Sequence, residues 1–315
     1  MTEPAALQPT TSPPPPAEAP ARREGLVVAA VRALRPKQWT KNAAVLAPLV
    51  FAHKALVPGL VLKALAATVG FCLLSSAVYV FNDLADREKD KLHPIKRLRP
   101  IASGSLGTGA AVALGLLVGG AGLTLLGLMT SRAAFYGALG YLGLQVVYTL
   151  AIKRMVILDI IAIAIGFVVR VASGALAIDV PISSWLYICT FLLALFLGFA
   201  KRRAELVLLD KDAASHRANL AELSLPLVDQ LIAVVTASTV VSYALYTMSP
   251  ETVQKFGTDN LKFTIPCVIY AIFRYLYLIY RKGEGGSPER LLLTDVPLIA
   301  TILIYCAIVG AVLYL

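Results

Sequence analysis

The chain has 315 residues, of which 58% are hydrophobic and only 15% are charged, and its mean hydropathy is +0.74. An ordinary soluble domain is about 25% charged, and a soluble fold of this length could not bury so much apolar surface, so the composition excludes a soluble globular protein. The net charge of +10 does not indicate nucleic-acid binding, because basic loops that face an anionic membrane leaflet explain it and the sequence has no basic patch interleaved with aromatic residues.

The chain begins with a segment unlike the rest. Residues 1–24 are rich in Pro and Ala and lack aromatic residues, which is typical of a disordered tail. We expect residues 25–315 to form a single membrane-embedded domain. Its first segment, 25–36, predicts a short interfacial helix, because its apolar residues share one face while Arg32 and Arg35 lie on the other.

Nine apolar segments follow, and about 20 residues are needed to cross the hydrocarbon of a bilayer. The first is shorter than the others and contains Pro48. Short turns separate most of them, which predicts antiparallel neighbours in an all-α, polytopic bundle of nine transmembrane helices. The predicted spans are approximately 40–53, 60–82, 107–129, 133–152, 156–178, 182–200, 226–247, 261–280 and 295–315.

The basic residues predict the orientation of these spans. With the N-terminus in the cytoplasm, 22 of the 29 Lys and Arg fall in cytoplasmic segments, five fall on the opposite side, and Arg170 and Arg274 lie within spans. Such an excess of cytoplasmic Lys and Arg is the positive-inside signal. We therefore expect a multi-pass protein of the cell inner (plasma) membrane, with its polar chemistry at the cytoplasmic face.

The stretch 79–100, YVFNDLADREKDKLHPIKRLRP, places many acids at the cytoplasmic end of the second span. If the helix continues, Asp83, Asp86 and Asp90 share a face at spacings i, i+3 and i+7, and Asn82 and Asp86 form an i, i+4 pair. Oxygen ligands that converge in this way suit a Mg²⁺ ion that holds a phosphorylated substrate. The alternative is a solvated loop whose acids offset the neighbouring cations.

Basic residues follow this acidic run and recur in the other cytoplasmic connections. Carboxylates that hold Mg²⁺, flanked by Lys and Arg, are what a diphosphate group needs, although for any single cation the positive-inside topology is an equal explanation. The candidates are Lys96 and Arg99 after the acidic run, Lys37 in RPKQWTKN, Lys153 at the end of the fourth span, and Lys201 and Arg202 with Glu205 in GFAKRRAEL.

The fifth span contains two charged residues that topology does not explain. Asp159, Gly166, Arg170 and Ser173 fall on one helical stripe. A charged residue inside a span is costly and usually faces a cavity or a partner. Arg170 is therefore either an anion contact deep in a cavity or half of a structural pair with an acid.

The order of these motifs is similar to that in a known family. RPxQWxKN, then NDxxDxxxD after the second span, then RPIxxG and nine helices resembles the UbiA superfamily of intramembrane prenyltransferases over approximately residues 30–315. The resemblance implies a bundle around a central cavity that is open to the cytoplasmic side and to lipid, and an isoprenyl diphosphate bound through Mg²⁺ and two acidic motifs. The second motif is missing here, because KRRAELVLLDKD follows the sixth span.

With this departure, the pattern is similar to the branch of the family that moves 5-phosphoribosyl from 5-phosphoribosyl 1-diphosphate to decaprenyl (polyprenyl) phosphate for arabinan cell-wall precursors. The resemblance implies an Mg²⁺-dependent phosphoribosyltransferase that releases diphosphate. One alternative is a UbiA-type prenyltransferase with an isoprenyl diphosphate donor and an aromatic acceptor. Another is a transporter with a midplane site at Asp159 and Arg170.

The resemblance assigns roles to the candidate residues. It implies a metal site of Asn82, Asp83, Asp86 and Asp90, in which Asn82 and Asp86 are the best candidates for direct contact. It also implies catalytic roles for Asp86, Asp90 and Glu205. The donor phosphates would be held by Lys37, Lys96 and Arg99, and the ribose would contact Tyr79. The donor 5-phosphate and the lipid phosphate would be held by four further cations, and which cation binds which phosphate is left open: Lys153, Arg170, Lys201 and Arg202. We expect loops 83–106 and 201–224 to close over the site and exclude water. Separately, the Gly-rich run 107–127 is a candidate contact surface between subunits of a homo-oligomer.

Overall fold

The computed structural model describes residues 25–93, 95–181, 183–209, 223–286 and 288–314, and within these residues it contains helices and turns but no β-strand. The predicted tail at 1–24 and residues 210–222 of the predicted loop 201–224 lie outside the described residues. The all-α prediction is therefore confirmed for the described part of the chain.

Thirteen α-helices are named here in chain order. They are α1 Leu26–Leu34, α2 Ala47–Phe51, α3 Pro58–Ala85, α4 Arg87–Leu92, α5 Thr108–Met129, α6 Arg132–Leu150, α7 Leu158–Ala177, α8 Ser184–Leu209, α9 Leu225–Met248, α10 Pro250–Phe256, α11 Ile265–Tyr277, α12 Pro288–Thr294 and α13 Val296–Tyr314. The 3₁₀ helices are Pro36–Leu46, Lys96–Leu98, Ile152–Arg154 and Asn260–Thr264, and α11 continues into a π-helical turn at Leu278–Lys282.

Eight helical segments of the described chain are long and apolar enough to cross a membrane. They are α3, α5, α6, α7, α8, α9, the run Asn260–Lys282 that contains α11, and α13. Many of their large apolar side chains are exposed, such as Leu117, Leu128 and Val234, as expected for surfaces that face hydrocarbon. The chain is thus a polytopic membrane protein.

The predicted first span, 40–53, is not among the eight, so the count of nine is not confirmed. It forms the 3₁₀ helix Pro36–Leu46 followed by the five-residue helix α2. This segment packs tightly on α7, because a Cβ atom on Gly174 would lie only 2.1 Å from the carbonyl oxygen of Val45. Tertiary contact of this kind, and not hydropathy, determines its shape.

Helix α1 forms where the interfacial helix was predicted. Its small residues Ala29 and Ala33 are buried against Val80 and Ile101, while Val27 and Val31 on another face are exposed. The helix therefore lies on the end of α3, which brings its C-terminus close to the acidic run.

The two largest apolar clusters of the described core both include residues of α7. Phe71, Leu74 and Tyr141 fill the cluster between α3 and α6, which also includes Ala177 of α7. The second cluster contains Phe196 and Tyr275 with Ile160 of α7, and joins α8, α9 and α11. Helix α7 thus carries its polar stripe along the centre of the bundle.

The end of the bundle away from the acidic run is closed by the C-terminal helix. The Tyr314 hydroxyl lies 3.2 Å from both the Val50 carbonyl and the Ala55 amide. A small cavity at this end is lined by Phe51, Leu186 and Tyr246, among others. The predicted central cavity, open to the cytoplasm and to lipid, stays a prediction.

Candidate active site

The acidic run keeps helical spacing although its helix is interrupted. Helix α3 ends at Ala85, and α4 begins after Asp86. The Asp86 amide donates to the Asn82 carbonyl at 2.9 Å, and the Asp90 amide donates to the Asp86 carbonyl at 2.8 Å, so the turn continues across the break. The side chains of Asp83 and Asp90 are each only 5% exposed, whereas the side chain of Asp86 is 36% exposed.

Two arginines neutralise the buried carboxylates. Arg35 Nη2 donates to both carboxylate oxygens of Asp83, at 2.6 and 2.8 Å. Arg99 Nη1 donates to Asp83 Oδ1 at 3.1 Å and to Asp90 Oδ2 at 2.7 Å. A buried carboxylate needs such partners, because an unpaired charge at this burial is strongly destabilising.

Arg35 is a site residue that the sequence analysis missed, because it was assigned to the polar face of the interfacial helix. It has a left-handed backbone (φ 53°, ψ 58°) at the C-terminus of α1, directly before Pro36. Its guanidinium lies 5.0 Å from the centre of the Tyr79 ring, so Tyr79 supports Arg35. The available signal was the repeated Arg–Pro dipeptide, at 35–36 and again at 99–100.

Asp86 and Asn82 are held by the end of α6 and the 3₁₀ helix after it. Lys153 Nζ lies 3.2 Å from Asp86 Oδ1, and the Thr149 hydroxyl donates to Asn82 Oδ1 at 2.8 Å. The structure therefore places Lys153 beside Asp86, while the predicted roles of Asn82, Asp86 and Lys153 stay predictions.

These residues fit a magnesium ion only in part. Within the described ranges, no three His, Cys, Asp or Glu side chains are arranged as a metal site. Mg²⁺ usually takes one or two carboxylates and obtains its other oxygens from phosphate and water. The partly exposed Asp86 carboxylate and the Asn82 amide oxygen supply donors of this kind, whereas Asp83 and Asp90 are buried against guanidinium groups.

The other predicted phosphate contacts lie on separate segments. Lys37 is exposed in the 3₁₀ helix Pro36–Leu46, Lys96 is half-buried at the start of the 3₁₀ turn, and Lys201 is exposed on α8. Glu88 is fully exposed and pairs with Lys91 at 2.8 Å, and this hydrogen bond lowers the pKa of the Glu88 carboxyl. Glu88 therefore belongs to the solvated face of α4.

Arg170 lies among neutral groups, and not beside the acid that one of its two predicted descriptions requires. Its hydrogen-bond partners are neutral: Nε donates to Asn42 Oδ1 at 2.9 Å, Nη2 to the Tyr141 hydroxyl at 2.8 Å and Nη1 to the Gly166 carbonyl at 3.1 Å. The guanidinium also lies over the rings of Tyr141 and Phe167. In the described chain it forms no ion pair, so the predicted acid partner is absent there. Its role as an anion contact stays a prediction.

Asn42 is a second residue that the sequence analysis did not single out. It is fully buried, and its amide nitrogen donates to Ser75 Oγ at 3.1 Å while its oxygen accepts from Arg170. It lies in RPxQWxKN, so the motif pointed to it. Asn42 ties the 3₁₀ helix to both α3 and α7.

Arg202 is enclosed by two acids. It is 6% exposed, pairs through Nη2 with Asp159, which is 1% exposed, and donates through Nη1 to Glu205 Oε2 at 2.6 Å. The neighbouring Arg203 donates to Asp229 at 2.7 Å and lies over the Tyr280 ring. Arg202 and Arg203 therefore both have carboxylate partners.

Known proteins are similar to this chain in sequence and in fold. The UbiA prenyltransferase family matches residues 43–294. The chain is 31% identical to the decaprenyl-phosphate phosphoribosyltransferase of Mycolicibacterium smegmatis over 98% of its length and 96% of that protein. It is also 31% identical to the enzyme of the same name from Corynebacterium glutamicum, over 89% of this chain and 86% of that one.

More distant likenesses cover less sequence or show the fold alone. The protoheme IX farnesyltransferase of Bacillus mycoides is 31% identical, but over only 44% of this chain and 47% of that protein. The structure of a UbiA homolog from Archaeoglobus fulgidus bound to GPP and Mg²⁺ superposes with a TM-score of 0.67, covering 91% of this chain and 100% of the other at 18% identity.

Proposed function

The chain belongs to the UbiA prenyltransferase family, and we propose that within it the chain transfers 5-phosphoribosyl from 5-phosphoribosyl 1-diphosphate to decaprenyl (polyprenyl) phosphate. The observation that carries this proposal is the 31% identity to a decaprenyl-phosphate phosphoribosyltransferase over nearly the full length of both chains. The match to a haem farnesyltransferase covers less than half of the chain, which favours the phosphoribosyl reaction over prenyl transfer.

The reaction forms one bond and breaks one bond. A phosphate oxygen of the lipid attacks the anomeric carbon of the ribose, and diphosphate leaves with the bonding electron pair. The lipid phosphate is already ionised at neutral pH, so the nucleophile needs no general base. The protein's task is to align the two substrates and to stabilise the negative charge that develops on the diphosphate.

The residues around Asp86 are suited to this task. Lys153 reaches the Asp86 carboxylate at 3.2 Å, so it lies where it can also bind a phosphate that approaches Asp86. Arg35 and Arg99, which contact the neighbouring acids Asp83 and Asp90, are partly exposed. The contacts of Lys37, Lys96 and Lys201 with the substrates stay predictions. We assign the donor diphosphate to the Asp86 side of the site.

Magnesium has a place in this arrangement. Asn82 and Asp86 would hold it, and when bound it neutralises the diphosphate oxygens and so makes diphosphate a better leaving group. A family structure holds GPP together with Mg²⁺, which supports use of the same ion here. Lys153 would then keep Asp86 in place and shield its charge.

The lipid is expected to approach through the membrane-embedded surface. The apolar spans place the protein in the bilayer, and the positive-inside distribution favours a site that faces the cytoplasm, where a soluble phosphoribosyl donor is available. We therefore propose an inner-membrane enzyme whose active site is at the cytoplasmic surface, with a cytoplasmic N-terminus.

The test uses purified protein, Mg²⁺, 5-phosphoribosyl 1-diphosphate labelled in the ribose, and decaprenyl phosphate. We expect label to enter the lipid fraction with release of one diphosphate per transfer. Asp86→Asn should reduce the rate at least about a hundredfold, because it removes the only carboxylate of the proposed metal position. Glu88→Gln, two residues further along on the exposed face of α4, should stay within about twofold of wild type.

A parallel reaction contains geranyl diphosphate and an aromatic acid instead. Prenylation of the aromatic acid, with no label transferred to lipid in the first reaction, would replace the proposal by the aromatic prenyltransferase alternative. Normal activity of Asp86→Asn would remove Asp86 from the site.

A further inference from the structure

Two arginines from distant segments share one buried carboxylate at the candidate site. Arg35 ends α1 and Arg99 follows the 3₁₀ turn, yet both donate to Asp83 Oδ1, at 2.6 and 3.1 Å. The second oxygen of Asp83 accepts another bond from Arg35 at 2.8 Å. Each carboxylate oxygen therefore already has a charged donor.

This environment is unsuited to a metal ligand. To bind Mg²⁺, Asp83 would have to give up its guanidinium partners at a position where its side chain is only 5% exposed. Breaking a buried ion pair leaves an uncompensated charge and is strongly unfavourable. Asp86 has no such obstacle, because its side chain is 36% exposed and its partner is a single lysine at 3.2 Å.

The same contacts leave both arginines able to bind an anion. Their bonds to Asp83 and Asp90 use one terminal nitrogen of each guanidinium, and a guanidinium carries five N–H donors. The side chains of Arg35 and Arg99 are 27% and 31% exposed, so part of each side chain is accessible at the surface of the site. Without the shared carboxylate, the two positive groups would repel each other and separate.

We propose that Asp83 is a positioning residue and not a magnesium ligand: it holds Arg35 and Arg99 together as a pair that binds diphosphate, next to the metal position at Asn82 and Asp86. The inference rests on one feature of the proposed function, which is that the donor substrate carries a diphosphate group. Both donor classes considered above share that group.

The experiment measures binding to the purified full chain without any transfer reaction. Mn²⁺ replaces Mg²⁺, and its dissociation constant is read from the paramagnetic resonance signal of the free ion. Inorganic diphosphate is then titrated at saturating Mn²⁺ by calorimetry. The variants are Asp83→Asn, which removes the charge and keeps the shape, Asp86→Asn, and the exposed control Glu88→Gln.

For Asp83→Asn we expect diphosphate affinity to fall at least about tenfold while the Mn²⁺ dissociation constant stays within about twofold of wild type. Asp86→Asn should weaken Mn²⁺ at least about tenfold, and Glu88→Gln should change neither constant. If Asp83→Asn weakens Mn²⁺ as much as Asp86→Asn does, Asp83 is a metal ligand and the proposal is wrong. Unchanged diphosphate affinity in Asp83→Asn would also overturn it.

Arg35→Lys is a second variant, since Asp83→Asn leaves two arginines without their shared charge and can lower the yield of folded protein. Lysine keeps the positive charge but lacks the planar guanidinium, whose remaining N–H groups would bind the diphosphate. We expect weaker diphosphate binding with normal Mn²⁺ binding, and unchanged diphosphate binding would contradict the proposal. A chain that binds both probes as expected but transfers no phosphoribosyl group would overturn the proposed function alone.

Discussion

The pair of Asp159 and Arg202 allows the sharpest test of how this bundle is held together. We consider Asp159→Asn, which removes the carboxylate charge and keeps the shape of the side chain. Asp159 is 1% exposed and Arg202 is 6% exposed, so the variant leaves a guanidinium buried with Glu205 as its remaining acid. Breaking a buried pair costs about 3–5 kcal/mol, and because Glu205 still compensates part of the charge, we expect about 3 kcal/mol.

The free energy of unfolding is measured in detergent micelles by denaturant titration. The double variant Asp159→Asn/Arg202→Met removes both charges and is expected to regain most of the loss, because two neutral groups of similar volume avoid the desolvation cost. The matched control is Arg203→Met on the same helix, whose pair with Asp229 is more exposed and should cost about 1 kcal/mol or less.

Two results would refute this reasoning. One is an Asp159→Asn variant within about 1 kcal/mol of wild type, which would mean that water or Glu205 already compensates Arg202. The other is a double variant no more stable than Asp159→Asn alone, which would show that Arg202 does not depend on Asp159 for its charge balance.

Two further predictions address packing and pH. Gly174→Ala should destabilise the protein by about 1–3 kcal/mol, because its Cβ would meet the Val45 carbonyl oxygen at 2.1 Å, whereas Gly140→Ala, with no atom within 4 Å, should be neutral or slightly stabilising in the same unfolding assay. The hydrogen bond from Arg274 lowers the pKa of Asp295 below its ordinary value, so this pair contributes stability at neutral pH that is lost as acid protonates Asp295. Asp295→Asn should therefore show a smaller fall in melting temperature than wild type between about pH 5 and pH 3, and equal falls would contradict the assignment.

The spans and the polar stripe of α7 could be predicted because their signals are local. Hydropathy over about 20 residues identifies a membrane helix, and eight of the nine predicted segments correspond to helices of sufficient length. Helical periodicity placed Asp159, Gly166, Arg170 and Ser173 on one stripe, and all four are buried. The 3₁₀ form of 36–46 has no comparable local signal, because the close approach of Val45 to Gly174 depends on a helix more than 100 residues away.

The partners of charged residues were harder to predict than their positions. Arg35 and Asp83 are separated by 48 residues, and Arg202 and Asp159 by 43. Spacing within one helix shows which side chains share a face, but not which cation from another segment reaches that face. The acidic run was therefore located correctly, while the arginine that binds Asp83 on both oxygens was assigned to an unrelated helix face.

The basic run on α8 shows why pairing matters for function. Three consecutive cations in place of a second acidic motif suggest a strongly positive surface, but Arg202 is balanced by Asp159 and Glu205, and Arg203 by Asp229. An arginine that is paired with a carboxylate adds little net positive potential. This run therefore attracts a second phosphate less strongly than its three consecutive basic residues suggest. Arg202 holds the Glu205 carboxylate at 2.6 Å as well as pairing with Asp159, so its predicted contact with a substrate phosphate would have to compete with two acids.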